Sequence, residues 1–214
     1  HLVRGISTPK LPLGKFQLLM KLNDVVSTFE QWAMWPHDVF ASLYHDYPEE
    51  WAKRILPDRS LIFSFWTQVR DHPLLVDHPV KRIHRWMYRC IPISMHGDGA
   101  PVTGVGKSWG KSMEMLYWGP CLASGTTLST FNLIFGIFAT TLVTEGDTST
   151  MQQFFLRLKW SFDTLYAGEW LSYDWMHILW PEGLTMHSKR GTPLCGAGDN
   201  KFFCLPIIYR GDLD

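Results

Sequence analysis

A series of strand-length apolar segments begins at residue 90 and restricts the fold more than any other pattern in the sequence. Residues 90–96 alternate apolar with small or polar side chains, which is the period of a β-strand, and Gly97-Asp98-Gly99 follows at once. Residues 113–118 form a second candidate strand. A third apolar run at residues 131–138 fits either a strand or a buried helix, because periodicity alone does not separate the two.

A helix and a further strand follow these segments. Residues 147–150 supply side-chain oxygens of the kind that cap helices, and a helical apolar stripe from Met151 to Leu165 stops at Gly168. Residues 202–209 are apolar and lead into a turn that contains Asp212. The order of these segments predicts an α/β fold.

The first 85 residues differ in character from the rest. They are rich in Trp, His and Pro, with helical spacing at Phe16, Leu19 and Met20 and with prolines at intervals. We therefore expect a mainly helical N-terminal region at residues 1–85, made of short helices joined by proline turns. Residues 86–214 form the α/β piece, with an insertion at about residues 169–200.

Composition excludes several classes of protein. The 20 basic residues balance the 20 acidic ones, so overall charge does not indicate binding to nucleic acid. The four cysteines form no Cys-x-x-Cys pair, which predicts reduced and mostly buried thiols. No apolar stretch is long enough to cross a bilayer, and we expect an intracellular protein without membrane contact. His1 in place of Met, and an end directly after an apolar run, predict that both termini are cuts.

Two glycine-rich motifs overlap between residues 104 and 110. Residues 104–108 look like a phosphate-binding loop, but Pro101 occupies the position of the first glycine that such a loop requires. Residues 106–110 match the nucleophile elbow of α/β-hydrolases, although an elbow should follow directly on a hydrophobic strand. An α/β-hydrolase that uses Ser108 is therefore one alternative function.

Asp98 and Asp212 each follow a candidate strand. An aspartate between two glycines at the end of a strand has room to bind a metal ion, or else it caps its own turn. Asp212 likewise follows a candidate strand, at residues 202–209. Asp214 is an alternative to Asp212 as the second metal-binding carboxylate. Two such carboxylates bind a pair of Mg²⁺ ions in phosphodiester chemistry. This hypothesis requires residues 91–96 and 205–209 to be neighbouring strands.

Residues 91–100, with the lysine-bearing loop and the strand that follow, resemble the opening of the catalytic domain of CACTA and Plavaka-type DDE transposases. Gly211-Asp212-Leu213 is similar to the motif that carries the second aspartate of these families. The resemblance covers about residues 90–214 and implies an RNase H-like mixed sheet. This RNase H-like core is expected to be incomplete. The third acidic residue of the families lies on a later helix and has no counterpart in this sequence.

The resemblance also implies an activity, a cofactor and a partner. The activity is the cleavage and transfer of DNA strands at transposon ends, in the nucleus, with Mg²⁺ or Mn²⁺ held by Asp98 and Asp212. This piece alone is expected to be inactive, and a homo-oligomer is one possible assembly. A domesticated or decayed binding module of the same fold is the alternative from a different functional class.

Several basic residues are candidate contacts for nucleic acid. Lys107 and Lys111 lie in the loop after the first aspartate and are candidate phosphate contacts. Arg82, Arg85 and Arg89 belong to a segment in which cations alternate with aromatic residues. That segment is either the solvated edge before a strand or a contact with the DNA backbone.

Overall fold

The computed structural model describes residues 10–101, 112–145 and 148–210, which form a β-hairpin, a four-stranded mixed sheet and a set of helices. The hairpin strands are β1 (Gly14–Leu22) and β2 (Val25–Ala33). The sheet strands are β3 (Cys90–Pro101), β4 (Ser112–Pro120), β5 (Asn132–Phe138) and β6 (Phe203–Arg210). The helices are α1 (Pro36–Asp46), α2 (Pro48–Arg54), α3 (Ser60–Val69), α4 (Trp86–Arg89), α5 (Thr127–Thr130), α6 (Thr150–Ala167) and α7 (Thr185–Lys189).

The described N-terminal region begins with a β-hairpin, so the prediction that it is mainly helical is wrong. β1 and β2 are antiparallel and are joined by Asn23 and Asp24, whose φ angles of 49° and 64° are typical of a two-residue hairpin turn. Every second side chain from Phe16 to Met20 is buried, whereas Leu19 is only half-buried. The helical spacing is misleading because Leu19 does not belong to the buried face.

The remainder of this region contains short helices, as its proline pattern predicts. Pro36 and Pro48 occupy the first turns of α1 and α2, where the missing N–H would have no helical partner. Pro73 and Pro79 begin short 3-10 turns. Among the helices of the described residues, none is both long enough and apolar enough to cross a membrane.

The four-stranded sheet has the order β5-β4-β3-β6, so β3 lies between β4 and β6. β3 and β4 are antiparallel, as are β4 and β5, whereas β3 and β6 are parallel. The apolar run at residues 131–138 is thus a strand. The predicted pairing of residues 91–96 with residues 205–209 is confirmed.

α6 crosses from β5 to β6 and packs on β1 and β6. The Ser149 hydroxyl accepts a hydrogen bond from the backbone N–H of Gln152, whose side chain accepts one from the N–H of Ser149. Gly168 ends the helix with a φ of 67°, a left-handed conformation that glycine adopts without strain. Both predicted ends of this helix are confirmed.

Phe154 of α6 connects the hairpin and the sheet within one hydrophobic core. Its ring stacks on Phe135 of β5 at 4.8 Å and on Trp35 at 5.8 Å, and the ring of Phe16 on β1 lies 6.1 Å away. Buried aromatic contacts of this kind contribute strongly to core stability. The core therefore fixes the sheet in which β3 is a central strand.

Candidate functional site

Asp98 lies near the carboxyl end of β3. The strand continues through residues 97–99, so the predicted turn at this point is wrong. Asp98 is paired with Met115 of β4, whereas the last described pair between β3 and β6 is His96 with Arg210. The side chain of Asp98 is exposed. Asp98 therefore pairs with β4 and lies two residues beyond the last described pair between β3 and β6.

The two glycines beside Asp98 make room for side chains of neighbouring strands. A Cβ atom at Gly97 would lie 2.9 Å from the hydroxyl oxygen of Tyr209, and one at Gly99 would lie 3.4 Å from a carboxylate oxygen of Glu114. Successive residues of a strand point to opposite faces, so both of these side chains lie on the face opposite to Asp98. The glycines therefore do not by themselves indicate a ligand, and Glu114 is not a partner of Asp98.

The carboxylate of Asp98 makes no hydrogen bond or ion pair with another described residue. It does not cap a turn, because its backbone belongs to a strand. An exposed carboxylate is a suitable oxygen ligand for Mg²⁺. No cluster of three or more His, Cys, Asp or Glu side chains that could hold a metal ion occurs among the described residues. A metal site here would need further ligands from outside those residues.

Other candidate residues lie outside the described ranges, and their predicted roles stay predictions. One of these predictions is that the carboxylates of Asp98 and Asp212 lie close together. Another is the alternative function of an α/β-hydrolase that uses Ser108. The residues concerned are Asp212 and Asp214, the phosphate contacts Lys107 and Lys111, and Ser108.

The arginines of the basic segment have two different environments. Arg82 and Arg85 are exposed, whereas Arg89 is buried. Arg89 donates from Nη1 to the carbonyl oxygen of Gly198 at 3.4 Å, and its guanidinium lies 5.8 Å from the ring of Phe203. Arg89 therefore holds the turn around Gly198 against β6. Of these three arginines, Arg82 and Arg85 can reach a ligand.

A buried polar contact joins two residues that no sequence motif connects. Nδ1 of His37 on α1 lies 2.8 Å from Oγ of Ser161 on α6, and a carboxylate oxygen of Asp38 lies 3.8 Å from Nε2 of the same ring. Burial lowers the pKa of His37 from its ordinary value of 6.5. His37 is 1% exposed and Ser161 is 0% exposed, so a substrate has no access to the serine. The pair is a structural link between two helices.

The four cysteines, all within the described residues, form no disulfide bond. Cys90, Cys195 and Cys204 are buried, and burial raises the pKa of each of these thiols. The prediction of reduced and mostly buried thiols is confirmed. A neutral, enclosed thiol is a poor nucleophile, so these three cysteines are structural.

Comparison with known proteins does not identify a family. No protein-family model, no curated protein and no solved structure matches this chain. The resemblance to DDE transposases therefore depends on the motifs around Asp98 and Asp212.

Proposed function

We propose that the chain carries the part of an RNase H-like DDE transposase core that supplies the first two carboxylates, Asp98 and Asp212. The elements of that fold between the two aspartates are three strands, a helix and a strand, with the aspartates at the centre of the sheet. The order β5-β4-β3-β6, with α6 before the parallel strand β6, agrees with this arrangement and carries the proposal. The proposed activity is metal-dependent cleavage and transfer of DNA strands.

The register between β3 and β6 supports the pairing of the two aspartates. His96 is paired with Arg210, and Asp98 and Asp212 are each two residues further along the sequence. Neighbouring strands lie about 4.8 Å apart. Pairing that continued in this register would bring both carboxylates within reach of ions about 3.5–4 Å apart, the spacing of two-metal centres.

Each proposed residue has a distinct role. Asp98 and Asp212 would bind Mg²⁺ or Mn²⁺ through their carboxylate oxygens, with Asp214 as a further candidate ligand. Bound ions of this kind activate the attacking oxygen and stabilise the leaving oxygen of a phosphodiester. Lys107 and Lys111, between β3 and β4 in the sequence, would contact phosphates of transposon-end DNA.

Thermal melts with and without Mn²⁺ test the metal site. A ligand that binds only the folded state at ten times its Kd raises the free energy of unfolding by about 1.4 kcal/mol. For a chain of this size, that gain raises the Tm by about 3–6 °C. Asp98→Asn and Asp212→Asn should each lose the shift in millimolar Mn²⁺, because each removes one of two shared ligands.

Asp24→Asn is the matched control for these variants. Asp24 is 93% exposed in the hairpin turn, and its φ of 64° is one that Asn also tolerates. This control should keep the full Mn²⁺ shift. Equal shifts in the wild type and in Asp98→Asn would reject Asp98 as a metal ligand.

A further inference from the structure

A cleft lies at the end of β3 opposite to Asp98, where three segments meet. These segments are the start of α3, the start of α4 and the 3-10 turn at Gly198–Asn200. Its volume is about 350 Å³, which is within the usual range of small-molecule sites. The residues that line it are Arg59, Ser60, Phe63, Arg85, Tyr88 and Asn200.

Two exposed aromatic rings form one wall of the cleft. The rings of Phe63 and Tyr88 are stacked, with centroids 4.7 Å apart and an interplanar angle of 15°. Although they cover each other, the side chains remain 40% and 46% exposed. The face of Phe63 that points away from Tyr88 can stack on a further planar group.

The scaffold below the two rings is well anchored. Nε1 of Trp66 on α3 donates to the carbonyl oxygen of Cys90 at 2.6 Å, and its ring packs against Trp86 of α4 at 5.1 Å. Trp66 is 0% exposed. This packing fixes α3 against α4, so the aromatic wall is formed before any ligand arrives.

Two arginines supply positive charge to the same cleft, and none of the described residues that line it is acidic. Arg59 donates from Nη2 to Oδ1 of Asn200 at 3.3 Å. The closest contact of Arg85 with the carboxylate of Asp199 is 3.9 Å, which is longer than a hydrogen bond. The guanidinium of Arg85 therefore keeps donors for another anion, and its side chain is 52% exposed.

The backbone of Arg85 adds an independent observation. Its φ of 54° and ψ of 30° lie in the left-handed region, which non-glycine residues seldom occupy. Such conformations cluster at functional sites, where the surrounding structure maintains them. The guanidinium of Arg85 lies 5.6 Å from the ring of Tyr88. A cation therefore continues the stack of Phe63 and Tyr88.

From this arrangement we infer that the cleft binds an unpaired nucleotide of a single-stranded nucleic acid. The base stacks on the face of Phe63 that points away from Tyr88, since Phe63 and Arg85 already cover the ring of Tyr88. Arg59 and Arg85 bind the flanking phosphates. Stacking on aromatic rings beside cationic side chains is the general mode of single-strand binding, whereas a duplex keeps the faces of its bases covered. The site does not depend on the proposed metal centre, since Asp98 lies about 26 Å along β3 from Cys90 at the strand spacing.

Fluorescence anisotropy tests the stacking part of this proposal. The probe is a fluorescein-labelled oligothymidylate of about 12 nucleotides, in buffer with EDTA so that no metal ion contributes. Phe63→Leu keeps an apolar contact with Tyr88 but removes the free aromatic face, and it should weaken binding about tenfold. Trp32→Leu is the control, because Trp32 is also exposed and also lies next to a cation, Lys15, at 4.7 Å.

The salt dependence of binding tests the phosphate contacts separately. Each lost contact with a single strand should reduce the slope of log K against log salt by about 0.7. Arg59→Gln and Arg85→Gln should each show this reduction, whereas Phe63→Leu should lower affinity without changing the slope. Arg70→Gln is the control, since Arg70 follows the opposite end of α3.

The outcomes separate this site from the metal centre. Asp98→Asn should bind the oligothymidylate as the wild type does, whatever its response to Mn²⁺. Absence of binding by the wild type, or wild-type affinity in Phe63→Leu, would overturn the inference. Equal affinity for a duplex of the same length, or for AMP alone, would overturn the assignment to a single strand.

Discussion

Acidification should destabilise this protein through His37, and the effect can be isolated with one variant. Burial lowers the pKa of His37 in the folded state from 6.5, with Asp38 opposing the shift and Lys189 adding to it. The unfolded chain therefore takes up this proton near pH 6.5, and the folded chain does so only at lower pH. The free energy of unfolding falls as the pH decreases below 6.5, until the pKa of the folded state is reached.

The size of the effect follows from linkage. The slope contributed by one histidine approaches about 1.4 kcal/mol per pH unit. Between pH 8 and pH 5 the loss from His37 reaches up to about 2 kcal/mol, if the folded state remains unprotonated throughout. For a chain of this size, that loss lowers the Tm by about 4–8 °C.

Urea unfolding followed by tryptophan fluorescence, repeated across this pH range, measures the loss. His37→Gln can still form a hydrogen bond with Ser161 but does not titrate, so its stability should fall less steeply than that of the wild type. His84→Gln is the control, because His84 is exposed, and it should follow the wild-type curve. Parallel curves for the wild type and His37→Gln would refute the reasoning.

Two further substitutions test the ends of α6 by denaturant unfolding. Gly168→Ala places a Cβ atom 2.7 Å from the backbone oxygen of Phe202, whereas a Cβ atom at Gly191, whose φ of 68° is nearly equal, has no atom of the described residues within 4 Å. Gly168→Ala should therefore cost about 1–3 kcal/mol more than Gly191→Ala, and equal costs would contradict the described contact. Ser149→Ala should cost about 1 kcal/mol, because the N–H of Gln152 loses its capping partner; an unchanged midpoint would contradict the capping box.

Local signals in the sequence determined most elements of the α/β piece. Ser149 and Gly168 mark the ends of α6, because a side-chain oxygen and a freely adopted positive φ are properties of single residues. The alternation in residues 90–96 predicts β3 in the same local way. The order of segments restricts only strand direction, because a helix between two strands lets them run parallel, and β5 and β6 lie at opposite edges of the sheet.

Where two local patterns compete, tertiary contacts decided the outcome. The segment from Phe16 to Met20 fits both a helix and a strand, and packing of Phe16 near Phe154 accompanies the strand. The glycines around Asp98 predict a turn, but hydrogen bonding with β4 extends β3 through that point. In both cases the deciding partner lies on another element.

Contacts between distant residues were determined by the tertiary structure alone. His37 and Ser161 are 124 residues apart in the sequence, and they meet only because α1 packs on α6. The cleft similarly combines Arg59, Tyr88 and Asn200. Of these three residues, only Tyr88 lies in a segment for which the sequence predicts a binding role, the basic segment before β3. Periodicity and capping report interactions over a few neighbouring residues, whereas these contacts follow from burial of apolar surface summed over the whole core.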